Sequence, residues 1–474
     1  MTDSRLMPRL LIAGMSGGSG KTLVSLALLL ALRRAGFQVR AFKKGPDYID
    51  AAWLGWAASH QARNLDTYLM GQDVVRSSFT RNAITDGINL IEGNRGVFDG
   101  FDAAGTHSSA VLSHCLAAPV VLVLNAAKVT RTAAAFVAGC QALDPELRIR
   151  GIILNNVSGQ RHEKVLRAAI ESTCEVPVVG VVRRAAVNPL PERYFGLVPP
   201  EEHTATKQIQ EDLLKLAEGL DLDAILSIAR SASPMAPSPP EISTPAAKDI
   251  KVGYLRDSAF SFYYPENLEQ LEQAGAELIP ISSLQSSALP ENLHALYIGG
   301  GFPEKHAEVL SSNRSFLQSI QQAALRGLPI YAECGGLILL ARTLRWNGRT
   351  YPMAGVFPFD VEGFETPQGH GYSELCIDRP NPFFSVGLVL HGHEFHYSRI
   401  SRQNEAVQTA ASVVRGVGCF EERDLVITQN VLAGYTHLHA LATPEWAQGF
   451  LDAARGFAAL AACRNLSPAR EARV

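Results

Sequence analysis

The residues that most constrain this chain lie near its start. Gly14-Met-Ser-Gly-Gly-Ser-Gly-Lys21-Thr22 follows the apolar run Leu10–Ala13 and leads directly into a stretch rich in leucine and alanine. Strand, glycine loop and helix in that order predict a phosphate-binding loop. Glycines let backbone N–H groups turn onto phosphate oxygens, and the N-terminus of the following helix adds partial positive charge. Gly14, Gly17, Gly18, Gly20, Lys21 and Thr22 are therefore the candidate nucleotide-binding residues. Lys21 is expected to reach the terminal phosphates of ATP, and Thr22 to ligate Mg²⁺.

The alternation that begins there continues. Val39–Phe42, Asn89–Glu92, Val120–Leu124, Gly151–Leu154 and Val178–Val181 read as buried strands, and Thr22–Ala35, Ser108–Leu116, Thr132–Ala142 and Glu163–Ser172 as helices. Strands without polar alternation, separated by helices, indicate a parallel sheet covered on both faces. Ser231 to Lys248 carries five prolines and almost no bulky apolar side chains, the composition of a linker. Beyond it Lys251–Tyr254, Glu277–Ile281, Ala295–Ile298 and Pro329–Ala332 read as strands, with helices near Glu266–Ala274, Arg314–Arg326 and Gly336–Ala341. A chain of 474 residues is long for one core. Two α/β domains, residues 8–230 and 250–455, joined by a linker over 231–249, are expected, with no internal repeat.

Two further clusters lie at predicted strand ends, where open α/β sheets bind ligands. Lys43-Lys44-Gly-Pro-Asp47-Tyr48-Ile-Asp50 sets lysines beside carboxylates, a combination that serves anions and a metal together. In Glu92-Gly-Asn94-Arg95-Gly-Val-Phe-Asp99-Gly the acid at the strand end is the candidate second Mg²⁺ contact. Asp99 reads equally as turn chemistry.

In the second half, Ile330-Tyr-Ala-Glu-Cys334-Gly335-Gly has the form of a nucleophile elbow. The helix N-terminus is expected to lower the thiol pKa, and the Gly335 N–H to receive a developing oxyanion. Ile298-Gly-Gly300-Gly301-Phe-Pro-Glu304 can supply a second donor through Gly300 or Gly301. A base is found in Leu432-Ala-Gly-Tyr-Thr-His437-Leu-His439, with His437 and His439 both candidates. Cys115, Cys140, Cys174 and Cys463 read as core thiols. His391-Gly-His393-Glu-Phe-His396-Tyr-Ser has no evident fourth ligand, so a metal is not expected there, and the roles of His393 and His396 stay open.

A formal net charge of −3 argues against a nucleic-acid partner, and seven dispersed cysteines without a CxxC pair fit a reducing compartment. No secretory signal is read at the N-terminus, and apolar runs such as Pro119–Leu124 are far below the roughly 20 residues of a membrane span. A cytoplasmic protein acting on small molecules, with no membrane partner, is expected, and a homo-oligomer is compatible with the sequence.

Taken in order, these segments resemble the cobyrinic acid a,c-diamide synthase family. The likeness rests on the phosphate loop, Lys-Gly-Pro-Asp-Tyr-Ile-Asp, Glu-Gly…Phe-Asp-Gly, Gly-Gly-Gly-Phe-Pro-Glu, Glu-Cys-Gly-Gly and Gly-His-Glu-Phe-His-Tyr-Ser, from about Arg9 to about Gly449. The early Gly14, seven residues before Lys21, is similar to the loop of dethiobiotin synthetase. The resemblance implies two doubly wound α/β domains: a dethiobiotin-synthetase-like ATP and tetrapyrrole domain, then a class I glutamine amidotransferase (flavodoxin-like) domain. It implies ATP- and glutamine-dependent amidation of tetrapyrrole carboxylates, most directly the a and c acetates of cobyrinic or hydrogenobyrinic acid.

By the same resemblance Cys334 is the glutaminase nucleophile and His437 its base, in a subgroup without the usual third acid. Asp47, Tyr48, Asp50 and Glu92 match family positions near the ATP and tetrapyrrole carboxylates. With Lys44 and Arg95 from the residue pattern, Lys44, Asp47, Tyr48, Asp50 and Arg95 are the candidate substrate contacts, and Thr22, Asp47 and Glu92 the candidate Mg²⁺ contacts. One departure stands out: Asn94-Arg95 replaces the family's Val-Met. A guanidinium there suits a different substrate carboxylate, which keeps sirohaem or a sirohydrochlorin as the alternative acceptor. A CTP-synthase-like ligase would lack the Gly-His-Glu-Phe-His-Tyr-Ser segment. A partitioning ATPase would leave Cys334 and His437 unexplained.

Overall fold

A computed structural model describes residues 5–184, 190, 192–193, 196–197, 200, 206–238, 248–403 and 407–466. The chain divides into two compact units, Met1–Glu241 and Ile242–Val474. Part of the expected linker, residues 239–247, lies outside the described residues. Within its described part, Met235 exchanges backbone hydrogen bonds with Arg5 at 2.9 and 3.0 Å, so the stretch before residue 239 is tied to the first unit.

The first unit is built on seven parallel strands: β1 (Arg9–Gly14), β2 (Val39–Lys44), β3 (Arg63–Leu65), β4 (Ile88–Glu92), β5 (Val120–Asn125), β6 (Ile149–Val157) and β7 (Val178–Arg183), in the order β3-β2-β4-β1-β5-β6-β7. A short antiparallel pair, β8 (Glu192–Arg193) and β9 (Gly196–Leu197), stands apart from it. All six residues of β1 are buried, as a central strand covered on both faces requires. Helix Lys21–Arg34 is buried continuously from Val24 to Leu32, whereas Gln160–Cys174 buries only Leu166, Ile170 and Cys174, one stripe at helical spacing. The predicted strands and helices of this half all form, within a few residues at their ends. Helices Tyr48–Ala58, Thr67–Asn82, Thr206–Ala217 and Leu222–Arg230, strand β3 and the β8–β9 pair were not anticipated.

The second unit carries a larger mixed sheet. Its strands are β10 (Ile250–Leu255), β11 (Ala276–Ile281), β12 (Ala295–Ile298), β13 (Ile330–Glu333), β14 (Thr343–Trp346), β15 (Arg349–Pro352), β16 (Phe359–Gly363), β17 (Gly369–Ile377), β18 (Val389–His396), β19 (Ser398–Gln403), β20 (Gln408–Arg415), β21 (Arg423–Thr428), β22 (Val431–Gly434) and β23 (His437–Leu438). The ten-stranded order is β11-β10-β12-β13-β22-β21-β20-β17-β18-β23. From β11 to β22 the pairs are parallel, and from β22 onward they are antiparallel. Strands β15, β14, β16 and β19 form a separate four-stranded sheet. The doubly wound α/β fold class is present in both units, with an antiparallel extension that the sequence reading did not contain.

Cys115, Cys140 and Cys174 are buried as expected, but Cys463 is exposed. It lies near the end of helix Pro444–Leu466, whose buried residues run from Trp446 to Ala454 and whose partly buried core contacts end at Ala458, so the helix has left the core before that point. No helix among the described residues is long and apolar enough to cross a membrane.

Arg9 is fully buried at the start of β1. Its guanidinium donates to Leu116 O at 2.6 Å, Ser233 O at 2.7 Å, Met7 O at 3.0 Å and Ala117 O at 3.3 Å. Burial, with Arg148 nearby, lowers it to about 10. One charged fork thus donates to four carbonyls from three places in the chain. Arg9→Met is expected to lower the urea midpoint of the first unit and to cost about 2–4 kcal/mol, because the Leu116, Met7 and Ser233 carbonyls lose the Arg9 donor without gaining water, while Ala117 O keeps Arg148.

Candidate functional site

The first candidate site lies where β1, β2 and β4 end. After β1 the loop turns through Gly18 (φ 70°) and Gly20 (φ 95°), left-handed conformations that favour glycine. Gly20 is doubly constrained, since a Cβ there would sit 2.1 Å from Asn155 Nδ2, the amide that donates to Ser19 O at 2.9 Å. Asn155 at the end of β6 is a loop-holding residue that no sequence pattern signalled. Lys21 Nζ donates to Ser16 O at 3.2 Å. Burial and then Lys43 lower its ammonium pKa, against the pull of Glu92 and Asp50.

Strand register makes the next contact. Lys43 of β2 pairs with Glu92 of β4. Lys43 Nζ lies 2.6 Å from Glu92 Oε1 and 2.6 Å from Asp50 Oδ2, and it donates to Gly93 O at 3.3 Å. Burial disfavours the ammonium, but Asp50 and Glu92 together hold it well above the usual lysine range. Burial pushes the Glu92 carboxyl up, with Lys43 working against that shift. The sequence reading set both lysines beside the carboxylates and gave Lys44 to the substrate. Consecutive strand residues face opposite ways, and of the two it is Lys43 that pairs with Glu92 and Asp50. Lys44 is also buried, its ammonium lowered by burial, with Asp66 opposing and Lys43 and Arg95 adding.

Thr22 Oγ1 donates to Glu92 Oε1 at 3.0 Å, while Glu92 Oε2 is buried with no hydrogen-bond partner among the described residues. A hydroxyl and an orphaned carboxylate oxygen beside a phosphate loop suit a hard divalent cation that keeps water and phosphate ligands. Asp47 is placed differently. Its Oδ1 accepts Asp50 N at 2.8 Å and so caps helix Tyr48–Ala58, and burial followed by Asp50 raises its carboxyl to about 6. Tyr48 opens that helix. Asp99 closes a turn, with Oδ2 accepting Gly96 N at 2.7 Å. Arg95 is exposed on the same loop at φ 48°. Near Lys44, Tyr68 and Phe101 stack at 4.9 Å, with His107 edge-on to both.

The second candidate site centres on Cys334, which leaves β13 at φ 48°, ψ −98° and starts helix Gly335–Leu340. Its N–H donates to Gly434 O at 2.7 Å. A Cβ on Gly335 would meet Gly301 N at 3.0 Å, and one on Gly300 would meet His437 Cε1 at 2.5 Å. The elbow, the Gly300–Gly301 turn and the His437 ring are therefore close-packed. The thiol does not behave as expected. Burial, then Glu304, pushes it up rather than down, because the withdrawal of the thiolate from water outweighs the help of the Gly335 N–H at the helix start.

The rings sort the histidines. His437 Nδ1 lies 3.4 Å from Glu333 Oε2, and its ring stacks on His393 at 4.9 Å. His439 points elsewhere, with Nε2 3.6 Å from Glu266 Oε2 and Nδ1 accepting Leu441 N at 3.2 Å. His396 stacks on Tyr435 and bonds Ser398 O and Glu394, whose carboxylate in turn accepts Val417 N and Gly418 N. Among the described residues no three His, Cys, Asp or Glu side chains are arranged to hold a metal ion. Glu333 is the residue the reading missed, since the resemblance implied no acid here. Its only sequence signal is a charged side chain closing an otherwise apolar strand.

Two family descriptions match the chain. Residues 10–194 match the CobQ/CobB/MinD/ParA nucleotide binding domain, and residues 251–445 the CobB/CobQ-like glutamine amidotransferase domain. The cobyrinate a,c-diamide synthase of Magnetococcus marinus is 42% identical over 448 residues, covering 93% of this chain and 96% of that protein. That of Dehalococcoides mccartyi is 37% identical over 462 residues, covering 96% and 99%. That of Archaeoglobus fulgidus is 37% identical over 451 residues, covering 94% and 98%.

The buried ion cluster yields a stability test. Lys43→Met should cost the first unit about 3–5 kcal/mol in urea unfolding, because it strands a buried carboxylate. Adding Glu92→Gln should recover part of that loss, so that the double variant is less destabilised than the sum of the singles.

Proposed function

The chain belongs to the cobyrinate a,c-diamide synthase family, and from that premise we propose that it amidates tetrapyrrole side-chain carboxylates with glutamine nitrogen and ATP. It is a glutamine-dependent carbon–nitrogen ligase of the cobalamin-forming type. The proposed acceptor is cobyrinic or hydrogenobyrinic acid, at the a and c acetates.

A carboxylate is a poor electrophile, so the first unit must activate it. The loop amides with Gly14, Gly17, Gly18 and Gly20 cradle the ATP phosphates, and Lys21 neutralises the γ-phosphate. The substrate carboxylate oxygen attacks γ-phosphorus, ADP departs and an acyl phosphate results. Thr22 and Glu92 would hold Mg²⁺, with Asp47 as the further carboxylate of the same loop cluster; when bound, the ion would offset phosphate charge. Lys44, Tyr48, Asp50 and Arg95 are assigned to the substrate. The Tyr68–Phe101–His107 cluster beside Lys44 offers a flat apolar face next to cations, which suits a macrocycle fringed by carboxylates.

In the second unit His437 takes the Cys334 thiol proton and the sulfur attacks the glutamine carboxamide. Gly335 N–H and the Gly300–Gly301 backbone receive the oxyanion. His437 returns the proton to the leaving ammonia, and water then hydrolyses the glutamyl thioester. Ammonia displaces phosphate from the acyl phosphate to give the amide. The observation that carries this half is the close packing of the Cys334 elbow, the Gly300–Gly301 turn and His437. The exposed Arg95 favours a second acceptor, sirohaem or a sirohydrochlorin, by the same chemistry.

The test offers cobyrinic acid, hydrogenobyrinic acid and sirohaem in parallel, with amides counted by mass spectrometry. Cys334→Ala should lose glutamine-supported amidation by at least about 10²-fold and keep the ammonia-supported reaction. Lys21→Ala should lose both by about 10²-fold or more. Amidation of none of the three acceptors overturns the substrate class, and glutamine turnover unchanged in Cys334→Ala overturns the mechanism.

A further inference from the structure

The geometry points to Glu333, the residue immediately before the nucleophile, as the positioning residue that holds His437 in its base tautomer. This rests on the amidotransferase reading and adds to it a third acid, placed on the nucleophile's own strand.

Glu333 ends β13 and is fully buried. An isolated carboxylate there would be costly, and every contact it makes compensates that burial. Oε1 accepts Leu438 N at 3.1 Å and the Tyr331 hydroxyl at 3.1 Å. Oε2 accepts the Tyr297 hydroxyl at 3.2 Å and lies 3.4 Å from His437 Nδ1. The same carboxylate thus grips the backbone just after His437 and one edge of its ring. An acceptor-only carboxylate facing Nδ1 requires the proton on Nδ1, which makes Nε2 the acceptor. The nearest ring atoms to Gly300 are Cε1 and Nε2, so this edge is turned toward the glycine turn beside the Cys334 elbow.

The proton path then balances. The Cys334 proton moves to His437 Nε2 and the thiolate bonds the carboxamide carbon. The C–N bond breaks, and ammonia leaves with the proton from Nε2. Glu333 orients the ring and faces the transient imidazolium, the part an orienting carboxylate plays in serine hydrolases.

The other ionisable groups around the ring cannot substitute. His393 from β18 stacks on its face and is held neutral by burial, with His437 and His439 adding to that effect. Tyr297 and Tyr331 face Glu333 and are held protonated by burial. Glu304 and Glu394 act on Cys334. His439 is turned to Glu266.

The experiment measures glutamine hydrolysis by the full chain with MgATP and cobyrinic acid, from about pH 5.5 to 9, beside ammonia-supported amidation. Glu333→Gln is expected to lower glutaminase kcat about 10- to 100-fold with glutamine KM within about twofold. Removing an anion beside the ring disfavours its protonated form, so the acid limb of kcat/KM should move to lower pH. Ammonia-supported amidation should be retained. Glu333→Asp keeps the charge at a shorter reach, and should return the acid limb toward its original position while kcat stays reduced.

Unchanged kcat in Glu333→Gln, or a loss of rate with the acid limb unmoved, overturns the inference, the latter because packing alone would do the same. Should Glu333→Gln fail to fold, Glu333→Asp decides: reduced kcat with the acid limb displaced part of the way to lower pH supports the assignment, because the charge then stands farther from the ring, and reduced kcat with the limb unmoved, or unchanged kcat, overturns it. A wild-type chain without glutaminase activity that Cys334→Ala removes takes the amidotransferase reading down, and this inference with it.

Discussion

Glu92 and Glu333 are both fully buried carboxylates at the last position of a parallel strand, one in each unit. Desolvation makes such groups intolerable unless cations, hydroxyls or N–H donors converge on them. Each unit has been assembled to supply that convergence. Around Glu92 the partners are the Lys43 ammonium and the Thr22 hydroxyl. Around Glu333 they are two tyrosine hydroxyls, one backbone N–H and a histidine ring. The difference is chemical. A charged partner beside a phosphate loop makes a site for anions and a cation, while neutral donors leave the Glu333 charge to act on the one group able to become cationic.

Both neighbourhoods depend on glycine for a second reason. The loops must approach other backbone closely enough that a side chain cannot fit. At Gly20 the obstacle is the Asn155 amide, and at Gly300 it is the His437 ring. The Cys334 elbow is itself held at a positive φ by its strand and by the bond to Gly434 O, a local strain sustained by the surrounding sheet. Burial pushes that thiol up against the help of the Gly335 N–H, so its activation calls for a neighbouring base.

Much of the fold was legible because strands buried on both faces are written as uninterrupted apolar runs, as in Val120–Leu124 or Ala295–Ile298. The elements that escaped carry no such signal. Strand β3 is Arg-Asn-Leu, buried through its register with β2 rather than by hydrophobicity. Helix Thr67–Asn82 is interrupted at Gly71, with φ 72°, and helix Tyr48–Ala58 starts inside a polar cluster through its Asp47 cap. The antiparallel strands from β17 to β21 mix buried and exposed residues irregularly, with register shifts at Glu374/Leu375. Their pairing is a long-range choice that local pattern does not encode.

The sequence by itself determined the two α/β units, the phosphate loop, the Cys334 elbow and the likeness that joins them, because each is a contiguous segment whose chemistry is local. Only the tertiary structure decided which of two adjacent lysines meets Glu92, which of two nearby histidines faces the glycine turn, and that Glu333 stands behind it. The reason is register. Lys43 pairs with Glu92 across β2 and β4, and His393 with His437 across β18 and β23. Since a slip of one residue turns every side chain to the opposite face, these partnerships exist only once the sheet is assembled.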